Sequence, residues 1–222
     1  MTEITQQKDQ NNQPKLKVCG LTQLSQIREL VALKIDFLGF IFYEKSPRFV
    51  LNHLTLDDIS KINHSGKVGV FVNETIENIV EISEKAGLSL IQLHGDENED
   101  FILKLRQSLN EKIQIIKVIR IGNQTIEELQ NTINRQPITN NYLLFDTDSK
   151  AFGGTGNTFD WKILNQLKIN KPYFLSGGIS LENIHQISSI EKEPFALDVN
   201  SKFETEPGLK DVEKIKKLYE KL

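Results

Sequence analysis

The stretch Lys67-Val68-Gly69-Val70-Phe71-Val72, then Thr75–Ala86 (TIENIVEISEKA), then Ser89-Leu90-Ile91-Gln92-Leu93, decides the fold class. Its first and last parts are short apolar runs, the pattern of strands covered on both faces. The middle part places Ile76, Ile79, Val80 and Ile82 on one side, as an amphipathic helix does. Strand, helix and strand in so short a span form a βαβ unit, with a right-handed crossover.

The same alternation runs outward in both directions. Strand signals fall at Leu16–Cys19, Phe37–Phe42, Lys67–Val72, Ser89–Leu93, Ile113–Ile119, Tyr142–Phe145, Tyr173–Ser176 and Phe195–Val199. Helical patterns fall at Leu24–Leu33, Thr55–Ile62, Thr75–Ala86, Asn98–Leu109, Thr125–Asn134, Asp160–Leu167, Leu181–Ile187 and Gly208–Leu222. Such a series predicts an α/β fold, a (β/α)₈ TIM barrel; a doubly wound open sheet remains an alternative, because periodicity does not reveal closure. No linker composition interrupts the series, so residues 15–222 are expected to form one barrel domain. Residues 1–14, rich in Gln and Asn, are expected to be a polar arm.

The composition narrows the function classes. With 38% hydrophobic and 26% charged residues among 222, the chain can bury a large core and stay soluble. A formal net charge of −3 gives no nucleic-acid footprint, and no apolar run is long enough for a membrane span. One cysteine excludes an internal disulfide and a zinc cluster. The N-terminus has neither the basic start nor the apolar centre of a signal peptide, so a cytoplasmic location is expected.

The unusual polar residues follow the strands, on the side where barrels build active sites. Cys19 ends the first strand, in Lys17-Val18-Cys19-Gly20-Leu21-Thr22. A lone Cys there is often a small buried hydrophobe; it becomes a base only where cationic or helix-terminal surroundings stabilise the thiolate. Gly20 and Thr22, ahead of a helix, are candidates for supplying that helix terminus. Arg48, after the second strand, is either part of a solvated Pro47 turn or a fork gripping a substrate carboxylate. Gln92 and His94 share one face of the fourth strand; His94 reads equally as a proton shuttle or as a hydrogen-bonded rim residue. Asp146 follows the apolar run Tyr142–Phe145, where desolvation would raise its pKa toward what a general acid needs. Asp148 lies further into the loop and is expected to be more exposed. The glycine-rich segment from Gly153 to Gly156 lacks the Lys-Ser/Thr ending of a Walker loop and reads as a flap over the substrate. Gly177, Gly178, Ser201 and Lys202 follow the last two strands, where barrels place phosphate against Cβ-free backbone and helix starts. Gln92, His94, Asp198 and Gly154 complete the candidate substrate contacts.

Together the motifs K-V-C-G-L-T, G-F-I-F-x-x-x-S-P-R, V-G-V-F-V-N, Q-L-H-G-D-E, F-D-T, F-G-G-T-G-x-T-F-D-W, L-S-G-G-I and D-V-N-S-K-F-E-x-x-P-G-x-K-D, in order from Lys17 to Asp211, resemble those of the phosphoribosylanthranilate isomerases. The resemblance implies a (β/α)₈ barrel of tryptophan biosynthesis that performs an Amadori rearrangement. It implies Cys19 as base, Asp146 as acid, Arg48 on the anthranilate carboxylate, and Gly177, Gly178, Ser201 and Lys202 around the phosphate. The family often has a small residue where this chain has Lys202. The implied chemistry needs no cofactor and no metal and takes a phosphosugar substrate; monomer and homodimer both stay open on the sequence. Two alternatives are weighed beside it. One is an indole-glycerol-phosphate synthase-like barrel, for which Lys17 and Lys117 are unpersuasive substitutes for a floor lysine acid. The other is a non-catalytic phosphosugar-binding barrel.

Overall fold

Eight parallel strands close into a barrel in strict sequence order, so the open-sheet alternative falls. The structure, a computed structural model, describes residues 13–148 and 158–222. The strands are β1 (Lys15–Val18), β2 (Phe37–Ile41), β3 (Lys67–Phe71), β4 (Leu90–Leu93), β5 (Gln114–Ile121), β6 (Tyr142–Thr147), β7 (Tyr173–Leu175) and β8 (Ala196–Val199). Closure is made by β1 against β8, with Lys17 opposite Asp198 and Val18 opposite Val199. The arm expected over residues 1–14 lies outside the described residues, apart from Gln13 and Pro14.

Two apolar layers result. Outward-facing strand residues such as Leu16, Val18, Leu38, Ile91, Leu143 and Leu197 pack against the helices in the main core. Inward-facing Phe37, Val68, Leu90, Ile116, Val118, Leu144, Phe174 and Ala196 fill the barrel itself. The alternation of side chains along a strand produces both layers from one continuous apolar run.

The helices of the first five units follow the sequence pattern closely: α1 (Leu24–Ala32), α2 (Leu56–Ser60), α3 (Ile76–Ala86), α4 (Glu99–Ser108) and α5 (Ile126–Asn134). Caps explain their ends. Thr75 accepts from Asn78 N–H to start α3, and Gly87 stops it at φ 62°. Thr125 with Glu128, and Thr55 with Asp58, form reciprocal capping boxes. Among the described residues, no helix is long and apolar enough to cross a membrane.

The last three units depart from the expected helices. Asp160–Leu167 and Leu181–Ile187 give 3₁₀ helices at Trp161–Gln166 and Ile184–Ser189. Polar side chains hold backbone groups around these short segments: Asn165 bonds Ser189 O and Glu191 N–H, and Asn183 bonds Gly178 O and Ser180 N–H. Such bonds offer the backbone an alternative to the α-helical ladder. In the final unit the expected helix from Gly208 begins only at Val212, as α6 (Val212–Tyr219), capped by Asp211. Ahead of it lies a hairpin of β9 (Glu204–Glu206) and β10 (Leu209–Lys210), turned at Pro207-Gly208 with Gly208 at φ 87°.

Candidate active site

Two residues further along the inward face of several strands, the apolar filling gives way to charge. On β1 the step is to Lys17 and then Cys19, on β4 from Leu90 to Gln92 and His94, on β6 from Leu144 to Asp146, and on β8 from Ala196 to Asp198. All six polar residues are buried.

Lys17 lies at the centre of this cluster. Its fully buried ammonium donates to Gln92 Oε1 at 2.8 Å, to Asp198 Oδ1 at 2.9 Å, and to the Cys19 thiol. Burial alone would lower its pKa, but Asp198 and Cys19 outweigh that and hold it above the usual lysine value. Lys17 is therefore a fixed cation. Lys117, the other lysine weighed for a synthase-like acid, donates to Glu97 Oε2 and Gly95 O. Neither has the freedom that alternative needs.

Cys19 is buried and free of disulfide. Burial pushes its thiol pKa up, while Lys17 and Lys210 pull it down and Asp198 pushes up again. The stabilising cation is thus a lysine on the same strand rather than a helix terminus. Thr22 does not cap α1, whose cap position is Gln23; its hydroxyl donates to Gly208 O at 2.7 Å. Gly20, at φ 74°, serves a close approach instead: a Cβ there would lie 2.7 Å from Arg48 Cδ and 2.9 Å from Asn200 Oδ1. Gly39 on β2 likewise leaves room for the thiol, since a Cβ would come within 2.9 Å of Cys19 Sγ.

Asp146 has the character a neutral-pH acid requires. Burial and the nearby Asp198 carboxyl raise its pKa to about 6, against the opposing pull of Thr147 N–H, Lys17 and Ser176. Ser176 also bonds Asp198, whose own pKa burial raises against the pull of Lys17. Asp148 is exposed, as its loop position suggested. His94 Nε2 approaches Asp146 Oδ2 at 3.5 Å. Burial and the positive charges of Lys17, Arg120 and Lys117 lower the His94 pKa to about 3. A histidine held neutral through physiological pH fits the rim-residue reading and not the proton shuttle.

Arg48 is nearly buried and already partnered. Its Nε and Nη2 donate to Glu204 at 2.9 and 2.6 Å, and Glu204 also accepts from Lys210 Nζ at 2.6 Å. Lys210 in turn bonds Asn200 Oδ1 at 2.8 Å. Burial alone would raise the Glu204 pKa, but Arg48 and Lys210 hold it below the usual carboxylate range. The guanidinium is thus gripped by Glu204 along its Nε–Nη2 edge. Sequence reasoning assigned no role to Glu204, Lys210 or Asn200. Their signal was a Glu and a Lys flanking the Pro-Gly turn of one hairpin.

The phosphate-rim candidates divide. Gly177 and Gly178 have φ of 86° and 65°, and a Cβ on Gly177 would meet Thr147 Oγ1 at 2.5 Å. Ser201 and Lys202 lie in a three-residue 3₁₀ turn ahead of the hairpin, with Lys202 exposed. The helix starts expected to favour an anion here are replaced by short 3₁₀ turns, so the expected helix termini are not what these residues offer. Gly154 and the flap expected around it lie outside the described residues. Among the described residues, no group of three or more His, Cys, Asp or Glu gathers as metal ligands would.

Fold and site together define a class: a (β/α)₈-barrel enzyme whose polar mouth is equipped for proton transfer. The sequence model of N-(5'-phosphoribosyl)anthranilate (PRA) isomerase matches residues 16–221, and the chain belongs to that family. It is 40% identical over 210 residues to the N-(5'-phosphoribosyl)anthranilate isomerase of Parabacteroides distasonis, covering 93% of this chain and 92% of the relative. Identity to that of Thermoanaerobacter pseudethanolicus is 39%, with 94% and 97% covered. The solved phosphoribosyl anthranilate isomerase of Thermotoga maritima superposes with a TM-score of 0.74 at 32% identity, covering 94% of this chain and 98% of that one. A further solved isomerase, in complex with reduced 1-(o-carboxyphenylamino)-1-deoxyribulose 5-phosphate, superposes at 0.69 with 30% identity, covering 92% and 95%.

Proposed function

We propose that this protein converts N-(5'-phosphoribosyl)anthranilate into 1-(2-carboxyphenylamino)-1-deoxyribulose 5-phosphate, with Asp146 as general acid and Cys19 as general base. The observation that carries the assignment is a carboxyl with its pKa raised to about 6, in the same buried cluster as a thiol bonded to a fixed ammonium. Asp146 protonates the ribose ring oxygen as the ring opens to a Schiff base. Cys19 takes the proton from C2′, giving an enolamine that tautomerises to the ketose. Lys17 steadies the thiolate while the thiol's proton is away. The end of the Arg48 fork meets the anthranilate carboxylate, and the Gly177-Gly178 and Ser201-Lys202 backbone meets the phosphate. The rearrangement relocates protons within one carbon skeleton, so it needs no external electron acceptor.

Loss of substrate fluorescence, followed with purified protein in buffer containing chelator and no nucleotide, tests the reading. Turnover is expected; none by a folded sample overturns it.

A further inference from the structure

We propose that His94 is a positioning residue for Asp146, its Nε2–H aimed at the acid's carboxyl through a hydrogen-bond chain that starts at Lys17 and passes through Gln92. The proposal rests on the reading of Asp146 as the general acid.

The chain has only one consistent proton arrangement. An ammonium can only donate, so the Gln92 atom 2.8 Å from Lys17 Nζ is its carbonyl oxygen. The Gln92 amide nitrogen must then face His94 Nδ1, 2.9 Å away. That –NH₂ also only donates, so Nδ1 is the bare, accepting nitrogen and the imidazole proton sits on Nε2. A second proton on Nδ1 would set donor against donor, which reinforces the neutral state that burial and the Lys17, Arg120 and Lys117 charges already favour.

The aimed N–H is held ready. Among the described residues, His94 Nε2 is buried and has no hydrogen-bond partner, an arrangement that leaves its N–H desolvated and uncompensated. The facing acceptor is Asp146 Oδ2 at 3.5 Å, longer than a full hydrogen bond. The other carboxyl oxygen, Oδ1, is occupied by Thr147 N–H at 2.8 Å. Once Asp146 releases its proton, Oδ2 becomes the stronger acceptor and the Nε2–H closes on it. The chain thus stabilises the acid's conjugate base at the moment it forms. The charged and polar groups facing Asp146 are Lys17 of β1, His94 beyond β4, Ser176 beyond β7 and Asp198 of β8, with Arg120 of β5 as its register partner.

Two measurements test this on the full chain. Long-range ¹H–¹⁵N correlation on ¹⁵N-histidine protein, with His94→Gln for assignment, should show a neutral Nε2–H ring from pH 5.5 to 8. An Nδ1–H ring, or a titration in that range, overturns the proposal. In kinetics, His94→Leu should lower kcat about tenfold, the scale of one charge-assisted hydrogen bond, and move the Asp146 inflection upward. His94→Gln, which presents an amide N–H at a similar reach, should recover most of the loss. Wild-type kcat and inflection in His94→Leu, or a His94→Gln as impaired as a folded His94→Leu, overturns it. An Asp146→Asn variant with full kcat would instead remove the acid assignment, while leaving the histidine spectrum unchanged.

Discussion

The two ends of the barrel are built from the same eight strands and do opposite work. At the floor, Phe37, Phe174, Tyr142 and Phe195 form a ring cluster with centroids 5.0–6.1 Å apart, and Lys15 lies over Phe37 and Phe195. At the mouth, Lys17, Gln92, Asp146, Asp198, His94 and Cys19 are all buried, yet every one is polar or ionisable. Two steps along one face of a strand separate the regimes, as Phe174 and Ser176 or Lys15 and Lys17 illustrate. The floor gains stability from apolar burial and edge-to-face aromatic contacts. The mouth spends some of it on desolvated charge, and so holds groups with shifted pKa values at the end of the barrel proposed to take substrate.

Asp146→Asn should produce the largest contrast. We expect kcat to fall by about 10²–10⁴, the usual contribution of one positioned acid. Stability should move the other way. The native pKa of about 6 lies above the ordinary carboxylate value near 4, so the folded state binds this proton more tightly than the unfolded chain. The ionised side chain therefore penalises the fold above about pH 6, and the penalty fades as pH falls to 4. Asn carries no charge to desolvate, so urea unfolding at pH 7.5 should show a gain of roughly 2–3 kcal/mol that disappears near pH 4. A variant less stable at both pH values would contradict the claim that the mouth trades stability for acidity. The pH profile gives a second reading. Because Cys19 is pushed up and Asp146 only to about 6, kcat/KM should rise with pH to about 6 and then level. Protonated acid declines there as fast as thiolate grows. In Asp146→Asn that Asp146 inflection should be missing; its persistence would assign it to another group, such as the substrate phosphate.

The floor should answer in reverse. Phe174 is fully buried against Phe37, Tyr142 and Phe195. Phe174→Ala should cost about 3–5 kcal/mol by lost burial and a residual cavity, while kcat per folded molecule changes less than about twofold. A shift in urea midpoint with unchanged slope would support this. A kcat collapse in folded protein would show that floor packing sets mouth geometry.

How much of this could be read from sequence follows the same division. The strands were legible because parallel strands covered on both faces are short apolar runs, and their order survived intact. The desolvation of Asp146 was legible because a carboxylate ending such a run must be partly withdrawn from water. Glu204 and Lys210 were not, because they come together only when Pro207-Gly208 folds the chain back, and no periodicity announces a two-strand hairpin that straddles the start of a predicted helix. Lys17 drew attention only as an unpersuasive substitute for a floor lysine acid; its place at the centre of the cluster was not legible, because Asp198 and Gln92 meet it only once the barrel closes. The helix termini invoked for Cys19 and the phosphate failed for a related reason. Gly and Ser/Thr ahead of a helical pattern mark a turn, whereas here close approach of Arg48, or a 3₁₀ segment, used those residues.

One substitution made at two lysines brings the comparison down to a single strand. Lys17→Met keeps the stem and removes the charge, leaving Asp198 buried without its cation; we expect a loss of about 3–5 kcal/mol at pH 7.5. The Asp198 pKa is already raised by burial, so in the variant the loss should shrink as pH falls and the carboxyl takes up a proton. Lys15, two residues earlier on the same face, is exposed, with its ammonium over the rings of Phe37 and Phe195. Lys15→Met should therefore cost less than about 1 kcal/mol, with no pH dependence between 5 and 8, because a methionine keeps the apolar contact and no buried partner is orphaned. Equal losses in urea unfolding of the two variants would mean that desolvation of charge is not what separates the ends of the barrel.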